Sequence, residues 1–324
     1  MGISKQRIKK VGRQIAADLL NEDELVEAYK LVGEWRAAHI QPLHESLAML
    51  ERLCNHDPST ILVSRLKRID TIIRKLKRDD YHFELSTLND IAGCRLIVSD
   101  NNKAQSIAMQ LMKTKYFYKQ IDYISKPKDS GYRGIHIICR HDSPDYGYEG
   151  LRVEVQIRSR LQHYWATAVE TYDLISEANL KFGSGSTDQK RYFQLSSELI
   201  NNSIENESVA RNELRMLDKQ LQVLDKLGAA VNSMYVMYDA RKQISRTDSC
   251  LISVDLDEQL IKLDIYDSEN EIRAASKYTE LEGDQTNKIY LMARAGSLND
   301  LCLAYPNYYS NISEFVSLLK GILL

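Results

Sequence analysis

The sequence predicts an α/β protein of the α+β kind, in which a mixed sheet of about five strands is flanked by helices. Three observations lead there. From Leu151 to Ile157 the residues alternate, with Leu151, Val153, Val155 and Ile157 on one face and Arg152, Glu154, Gln156 and Arg158 on the other. A second β-rich run, Ile135 to Cys139, precedes it across a loop containing Gly147 and Gly150, which gives a hairpin. Upstream, Leu85 to Ser125 reads as strand, helix, strand: an apolar strand ending at Val98, a helix from Asn102 to about Lys115, and a strand around Tyr116 to Ser125. A helix over Arg160 to Ala178 follows the hairpin.

Around this core at 61–178 the chain divides by texture. Residues 1–60 read as helices. Leu25, Ala28, Tyr29, Val32 and Trp35 recur at helical spacing, and Leu43, Leu47, Leu50 and Leu53 do so after Pro42. Ile61 to Arg78 reads as one further helix with Leu62, Leu66, Ile69, Ile73 and Leu76 as its buried stripe. Leu180 to Ser186 is a Gly- and Ser-rich loop without the ending of a phosphate loop. Residues 187–245 form a helical segment, with one long run predicted from Asp188 to Leu227. Residues 249–324 form a small α/β module. In it Leu251 to Tyr266 makes two strands, Glu269 to Leu281 a helix, Lys288 to Ala293 a strand, and Leu298 to Tyr305 and Ile312 to Leu323 helices. It carries no catalytic pattern, so a recognition or regulatory role is expected of it.

Composition narrows the class. At 44% hydrophobic content, 324 residues suit one large or two modest domains. A net charge of -2 argues against wholesale coating of nucleic acid but leaves room for a local basic patch. The five cysteines are scattered and odd in number, which predicts free thiols in a reducing cytoplasm. No apolar run spans a bilayer, so no membrane is expected.

The charged residues carry the chemistry. Arg65, Lys67, Arg68, Arg74, Lys75, Lys77 and Arg78 crowd one element against the single acid Asp70. Such cations repel one another unless an anion neutralises them, and a polyphosphate or an RNA backbone is such an anion. Asp90 and Arg95 fall at or inside a buried strand, where a charge needs a partner or a ligand. The plain reading of the polar face through Glu154 is a solvated hairpin face. The N-terminal stripe Lys5, Arg7, Lys9, Lys10 and Arg13 reads, equally plainly, as a solvated helix face.

Taken in order, five motifs resemble those of the RelA/SpoT synthetase domain. They are Ser64-Arg-Leu-Lys-Arg-Ile-Asp-Thr-Ile, Asp90-Ile-Ala-Gly-Cys-Arg95, Asp122-Tyr-Ile, Lys126-Pro-Lys-Asp-Ser-Gly-Tyr-Arg-Gly-Ile-His136 and Glu154-Val-Gln-Ile-Arg-Ser159. Gln162-His-Tyr-Trp-Ala-Thr167 extends the likeness, which covers roughly Ile61 to Asp173. The resemblance implies transfer of pyrophosphate from ATP to a ribose 3'-hydroxyl, with Mg²⁺ as cofactor. It implies GDP or GTP as acceptor, with guanosine tetra- or pentaphosphate as product. A toxin branch acts instead on the 3' end of tRNA and implies a neutralising antitoxin partner. An inactive nucleotide or RNA sensor on the same fold is the rival from another class. A homo-oligomer is left open. The family's His and Asp hydrolase motif is absent.

The roles implied by the resemblance fall residue by residue. Arg65 and Arg95 would sandwich the adenine of ATP, and Lys67, Arg68 and Lys75 would hold its phosphates. Asp90 would bind Mg²⁺. Glu154 would be the second carboxylate, aiding the metal and taking the proton of the attacking hydroxyl. Tyr132 would stack on the acceptor base, with Lys128 and His136 near the transferring phosphates and Asp122, Gln156 and Arg158 as further site residues. One departure stands out. Apolar Ile121 occupies the place before Asp122 where family members carry a charged signature residue, which favours an acceptor whose 5' phosphate is already in a chain.

Overall fold

A computed structural model describes residues 4–54, 57–78, 82–143, 148–176, 178, 180, 184–230, 235–238, 244–255, 257–283, 288–305 and 312–323. Gly147 and residues 181–183 of the Gly- and Ser-rich loop lie outside the described residues. The elements in chain order begin with α1 (Lys5–Ala16), α2 (Glu22–Ala37), α3 (Ile40–Cys54), β1 (Ile61–Leu66), α4 (Ile69–Leu76), β2 (Ala92–Val98), α5 (Asn101–Leu111), β3 (Phe117–Asp122), β4 (Ile135–Ser143), β5 (Tyr148–Ser159) and α6 (Arg160–Ser176). Then come α7 (Thr187–Ile200), α8 (Glu207–Leu221), α9 (Val223–Ala230), β6 (Tyr235–Tyr238), β7 (Ser249–Asp255), β8 (Leu260–Tyr266), α10 (Glu271–Gly283), β9 (Lys288–Ala295), α11 (Leu298–Ala304) and α12 (Ser313–Leu323).

Among the described residues all nine strands join one mixed sheet in the order β3-β4-β5-β2-β1-β9-β7-β8-β6. That exceeds the expected five. Strands β2 to β5 are the four that the sequence places in the core, whereas β1 lies where it reads a helix and β6 lies in the segment 187–245 expected to be helical. Strands β6 to β9 extend the sheet, because β9 returns from the C-terminal module to pair antiparallel with β1 at Val63↔Ala295 and Arg65↔Ala293. β2 and β5 are parallel, joined through α5, β3 and β4.

One sheet face of the core is apolar. Cys94, Leu96, Ile135, Ile137, Val153, Val155 and Ile157 pack there against Leu47 and Leu50 of α3 and Ala104, Ile107 and Leu111 of α5. The opposite face changes character along the sheet. Under the C-terminal strands it is apolar, with Val63, Ile97, Ile252, Leu291 and Ala293 against Leu301, Ala304 and Tyr305. Under β1, β2, β5 and β4 it turns polar, because cross-strand partners share a face. Gly93 lies beside Glu154, Arg95 beside Gln156, and His136 beside Gln156 on the other side. Helices α6 to α9 and α12 form a separate cluster around Trp165, Tyr172, Tyr192, Phe193 and Phe315.

Two predicted helices come out differently. Ile61–Leu66 is a strand and only Ile69–Leu76 is helical. The apolar spacing of Leu62 and Leu66 fits both periods, and six cross-strand pairs from Ile61↔Ile97 to Leu66↔Ala92 decide for the ladder. The run from Asp188 to Leu227 is three helices. Asn202 (φ 49) closes α7, the Asn206 side chain caps α8, and Gln222 (φ 55) ends it.

Candidate active site

Five elements converge on the polar sheet face. β1 places Arg65 and, just beyond its end, Lys67 and Arg68. The turn before β2 supplies Asp90 and the strand itself Arg95. β5 lines up Glu154, Gln156 and Arg158, β4 contributes His136, and the loop before it contributes Lys128 and Tyr132. Gly93 keeps the floor open: a Cβ there would lie 3.1 Å from the Glu154 carbonyl oxygen. Gly131 (φ 89) lets the Lys128–Tyr132 turn lie on α7, where its carbonyl accepts from the Ser197 hydroxyl.

The carboxylates sit in a ring of cations. Asp90 accepts from Lys67 Nζ and, at 2.9 Å, from Lys75 Nζ. Burial and the nearby Glu154 charge both push the Asp90 carboxyl up, and the two lysines outweigh them, leaving it below its ordinary range. Glu154 accepts from His136 Nδ1 at 3.1 Å and from Gln156 Nε2 at 2.7 Å. Burial opposes its charge, yet His136 and Gln156 hold the carboxyl far below its ordinary value. Burial likewise opposes the charge of His136. Tyr132 and Glu154 outweigh burial and raise its pKa to about 9. The Tyr132 hydroxyl meets His136 Nε2 and accepts from Arg158 Nε at 3.2 Å, and against burial these cations draw its pKa down to about 8.

At the other end of the face lie Arg65 and Arg95. Arg95 is buried and donates to the Ala304 carbonyl at 2.7 Å. The ring of Tyr305, directly after α11, lies 5.8 Å from the Arg65 guanidinium carbon and 5.4 Å from that of Arg95. His163 holds the same turn through the Leu303 carbonyl, 2.7 Å from Nε2. The pair assigned to a purine thus already carries an aromatic ring.

The remaining candidates divide. Lys128 Nζ lies 4.6 Å from the Tyr123 ring centre and 5.1 Å from that of Tyr132. Arg158 bridges Gln156 and Tyr132. Arg68 stands at the start of α4 and reaches Asp70 at 3.4 Å. Asp122 faces its own turn, accepting from Gln105, Ile124 and Ser125. Ile121 pairs with His136 and so belongs to the site face. Tyr123, His163 and Tyr305 escaped the sequence reading. Tyr123 adjoins Asp122 in a quoted motif and was within reach. The contact of Tyr305 spans more than 200 residues and leaves no local signal.

Two half-buried carboxylates, with the charge of Glu154 felt at Asp90 and cations on their flanks, fit a divalent ion of the Mg²⁺ type. Such an ion takes one or two protein carboxylates and completes its shell with substrate phosphates and water. Among the described residues no group of three or more His, Cys, Asp or Glu is arranged to hold a metal, so the phosphates of a substrate would have to supply the rest.

Paired carboxylates among lysines and arginines thus share one face of the sheet of an α+β fold. Residues 64–173 match the family model described as a region found in RelA / SpoT proteins. Over that segment the chain is similar to RelA/SpoT-type synthetase domains. The chain is 32% identical over 117 residues to GTP pyrophosphokinase YjbM of Bacillus subtilis, covering 35% of this chain and 56% of the relative. GTP pyrophosphokinase YwaC of the same organism is 31% identical over 121 residues, with 35% and 57% covered. The uncharacterized protein Rv1366 of Mycobacterium tuberculosis is 31% identical over 143 residues, with 43% and 47% covered. The chain therefore spans about half the length of the curated relatives it matches. The small alarmone synthetase 1 from Bacillus subtilis bound to its product pppGpp aligns with a TM-score of 0.45 at 26% identity, over 55% of this chain and 94% of that one.

Proposed function

We propose that this chain is a Mg²⁺- and ATP-dependent pyrophosphokinase that acts on the 3'-hydroxyl of GDP or GTP. The observation that carries the reading is the pairing of Asp90 and Glu154, half-buried, ionised and flanked by Lys67, Lys75 and His136. Phosphoryl transfer asks a protein mainly for in-line positioning and for neutralisation of spread negative charge, and this ring supplies both. On this reading the acceptor 3'-oxygen bonds to the β-phosphorus of ATP, the bond from that phosphorus to the α-phosphate oxygen breaks, and AMP leaves. The metal, when bound to Asp90 and Glu154, would screen the β- and γ-phosphates. Lys67, Arg68 and Lys75 would hold the same oxygens, while Arg65 and Arg95 would take the adenine.

Glu154 would receive the hydroxyl proton. Its depressed pKa makes it a weak base. A loose transition state forms little bond to the nucleophile before the leaving group departs, so a weak base suffices. His136 stays protonated at neutral pH and so serves the phosphates as a cation. Tyr132 would stack on the acceptor base. Such a stack is worth ~1–3 kcal/mol and tolerates base identity, so selection of guanine needs further contacts.

A tRNA acceptor, with an antitoxin partner, is the second reading. Apolar Ile121 beside His136 favours it, since that position adds no cation for a free 5' phosphate. Lys9 and Arg13 of the N-terminal stripe are both spent on Glu84, at 2.8 Å each, which weighs against an RNA-binding stripe. Incubation with γ-labelled ATP and GDP, GTP or bulk tRNA in turn separates the readings. Label in the guanine nucleotide supports the first, label in tRNA alone the second. Label in neither, with the protein folded, favours the sensor.

A further inference from the structure

We infer that Arg36 and Glu282, which lie outside the RelA/SpoT-type segment, form a buried positioning pair for the phosphate-binding cations Lys67 and Arg68. Arg36 closes α2 and Glu282 closes α10, and their side chains are 1% and 3% exposed. The Arg36 guanidinium spans three partners. Nη1 donates to the Lys67 carbonyl at 3.1 Å and to the Glu282 carboxylate, and Nη2 donates to the Thr279 hydroxyl at 2.8 Å. The guanidinium carbon lies 4.1 Å from the centre of the Tyr278 ring, which supports one face of the plane. The second Glu282 oxygen accepts from the Ile69 amide at 3.0 Å.

The two contacts bracket Arg68. One fixes the carbonyl of the residue before it, and the other fixes the amide of the residue after it. That amide belongs to the first turn of α4, where the side chain of the capping residue, Arg68, makes no capping hydrogen bond. Glu282 supplies the missing acceptor from a helix more than 200 residues away. The Lys67 amide is tied in turn to the Ile91 carbonyl at 2.8 Å, beside Asp90. The chain from Lys67 to Ile69 is thus held at three main-chain atoms, and its two cations leave from a fixed frame.

Packing alone does not call for this arrangement. α2 and α10 already meet closely, since a Cβ on Gly33 would lie 2.5 Å from Thr279 Cγ2. A buried ion pair stabilises a fold poorly compared with apolar residues of similar volume. Here the polar atoms are aimed at the main chain of the turn that carries the cations. The accessory segments at both ends of the chain therefore set the grip on the phosphates.

The inference rests on the assignment of Lys67 and Arg68 to donor phosphates, so the test reads the frame and the ligand separately. Calorimetric titration compares a non-hydrolysable ATP analogue with AMP for the wild type, for the double variant Arg36→Leu with Glu282→Leu, and for Glu282→Gln. The double variant replaces the pair by apolar groups. We expect it to bind the analogue about tenfold more weakly, the cost of misplacing charge-assisted contacts, with AMP affinity nearly unchanged and the melting temperature lowered only as far as the lost partners of the Lys67 carbonyl and the Ile69 amide require. Equal weakening of both ligands, or unchanged binding of the analogue, would overturn the inference. If the double variant does not fold, Glu282→Gln decides by the same ratio. Hydrogen exchange at the Ile69 amide needs no nucleotide. Faster exchange in Glu282→Gln supports the frame, and unchanged protection refutes it. A wild type that binds neither ligand, yet shows this loss of protection, would remove the donor-site reading and leave the frame standing.

Discussion

At the residue scale the proposed activity depends on keeping two half-buried carboxylates charged. Asp90 and Glu154 repel one another, and Lys67, Lys75 and His136 offset that repulsion together with the cost of burial. Asp90→Asn or Glu154→Gln removes a full charge from the transfer centre, so each is expected to lower kcat by a factor of ~100 or more. Steady-state rates at saturating substrate check this, and near-native turnover in either variant contradicts the assignment. The His136–Glu154 pair also makes a pH prediction. The folded protein raises the pKa of His136 from 6.5 to about 9, so its stabilisation is complete below pH 6.5 and is lost as pH rises through about 9. Glu154 is shifted down, so its share is present above 4.5 and lost as pH falls. The stability difference between the wild type and His136→Asn should therefore peak between these two values and shrink towards pH 9. Denaturant midpoints across that range measure it, and a difference that grows towards pH 9 would contradict the pairing.

At the scale of elements, the strand carrying Arg65 is where local signals ran out. The alternation of β5 and the hairpin with β4 are visible because one face is buried and the other polar, and the period of two runs unbroken from Leu151 to Arg158. In Ile61–Leu66 the apolar residues sit at spacings a helix would also use, and only the partner strands decide. Asp90, Arg95 and Glu154 stand out in the sequence because a charge just before or inside an apolar strand is conspicuous. Arg36, Glu282 and Tyr305 do not, since their meaning comes from elements far apart in the chain. α11 brings a testable consequence. Tyr305 lies against both arginines assigned to adenine, so a purine entering there must displace or share the ring. Tyr305→Ala should then bind the ATP analogue several-fold more tightly, as a competing cation–π contact worth ~0.5–2 kcal/mol is removed. Weaker binding would mean instead that Tyr305 forms a wall of the base site.

At the scale of the whole molecule, one nine-stranded sheet joins the RelA/SpoT-type segment to the C-terminal module through the β1–β9 ladder. The module thereby reaches the site twice, with α11 at the arginine pair and with α10 behind Lys67 and Arg68. Among the described residues no helix is long and apolar enough to cross a membrane. Should the acceptor be tRNA, the exposed Lys5 and Lys10 of α1 are two of the stripe cations that Glu84 does not hold. Neutralising both should flatten the salt dependence of tRNA modification by about one unit of slope per lost phosphate contact. Transfer to GDP or GTP should be unaffected, and equal loss on both acceptors would point to damage elsewhere.

The central claim is that a pyrophosphoryl group, and not a single phosphoryl group, leaves ATP. Mass spectrometry of the nucleotides formed from ATP, Mg²⁺ and GDP or GTP tests it most directly. The account predicts AMP in amounts equal to an acceptor heavier by two phosphates, with formation of both abolished in Glu154→Gln. ADP paired with an acceptor heavier by one phosphate, or AMP formed without any modified acceptor, would contradict it.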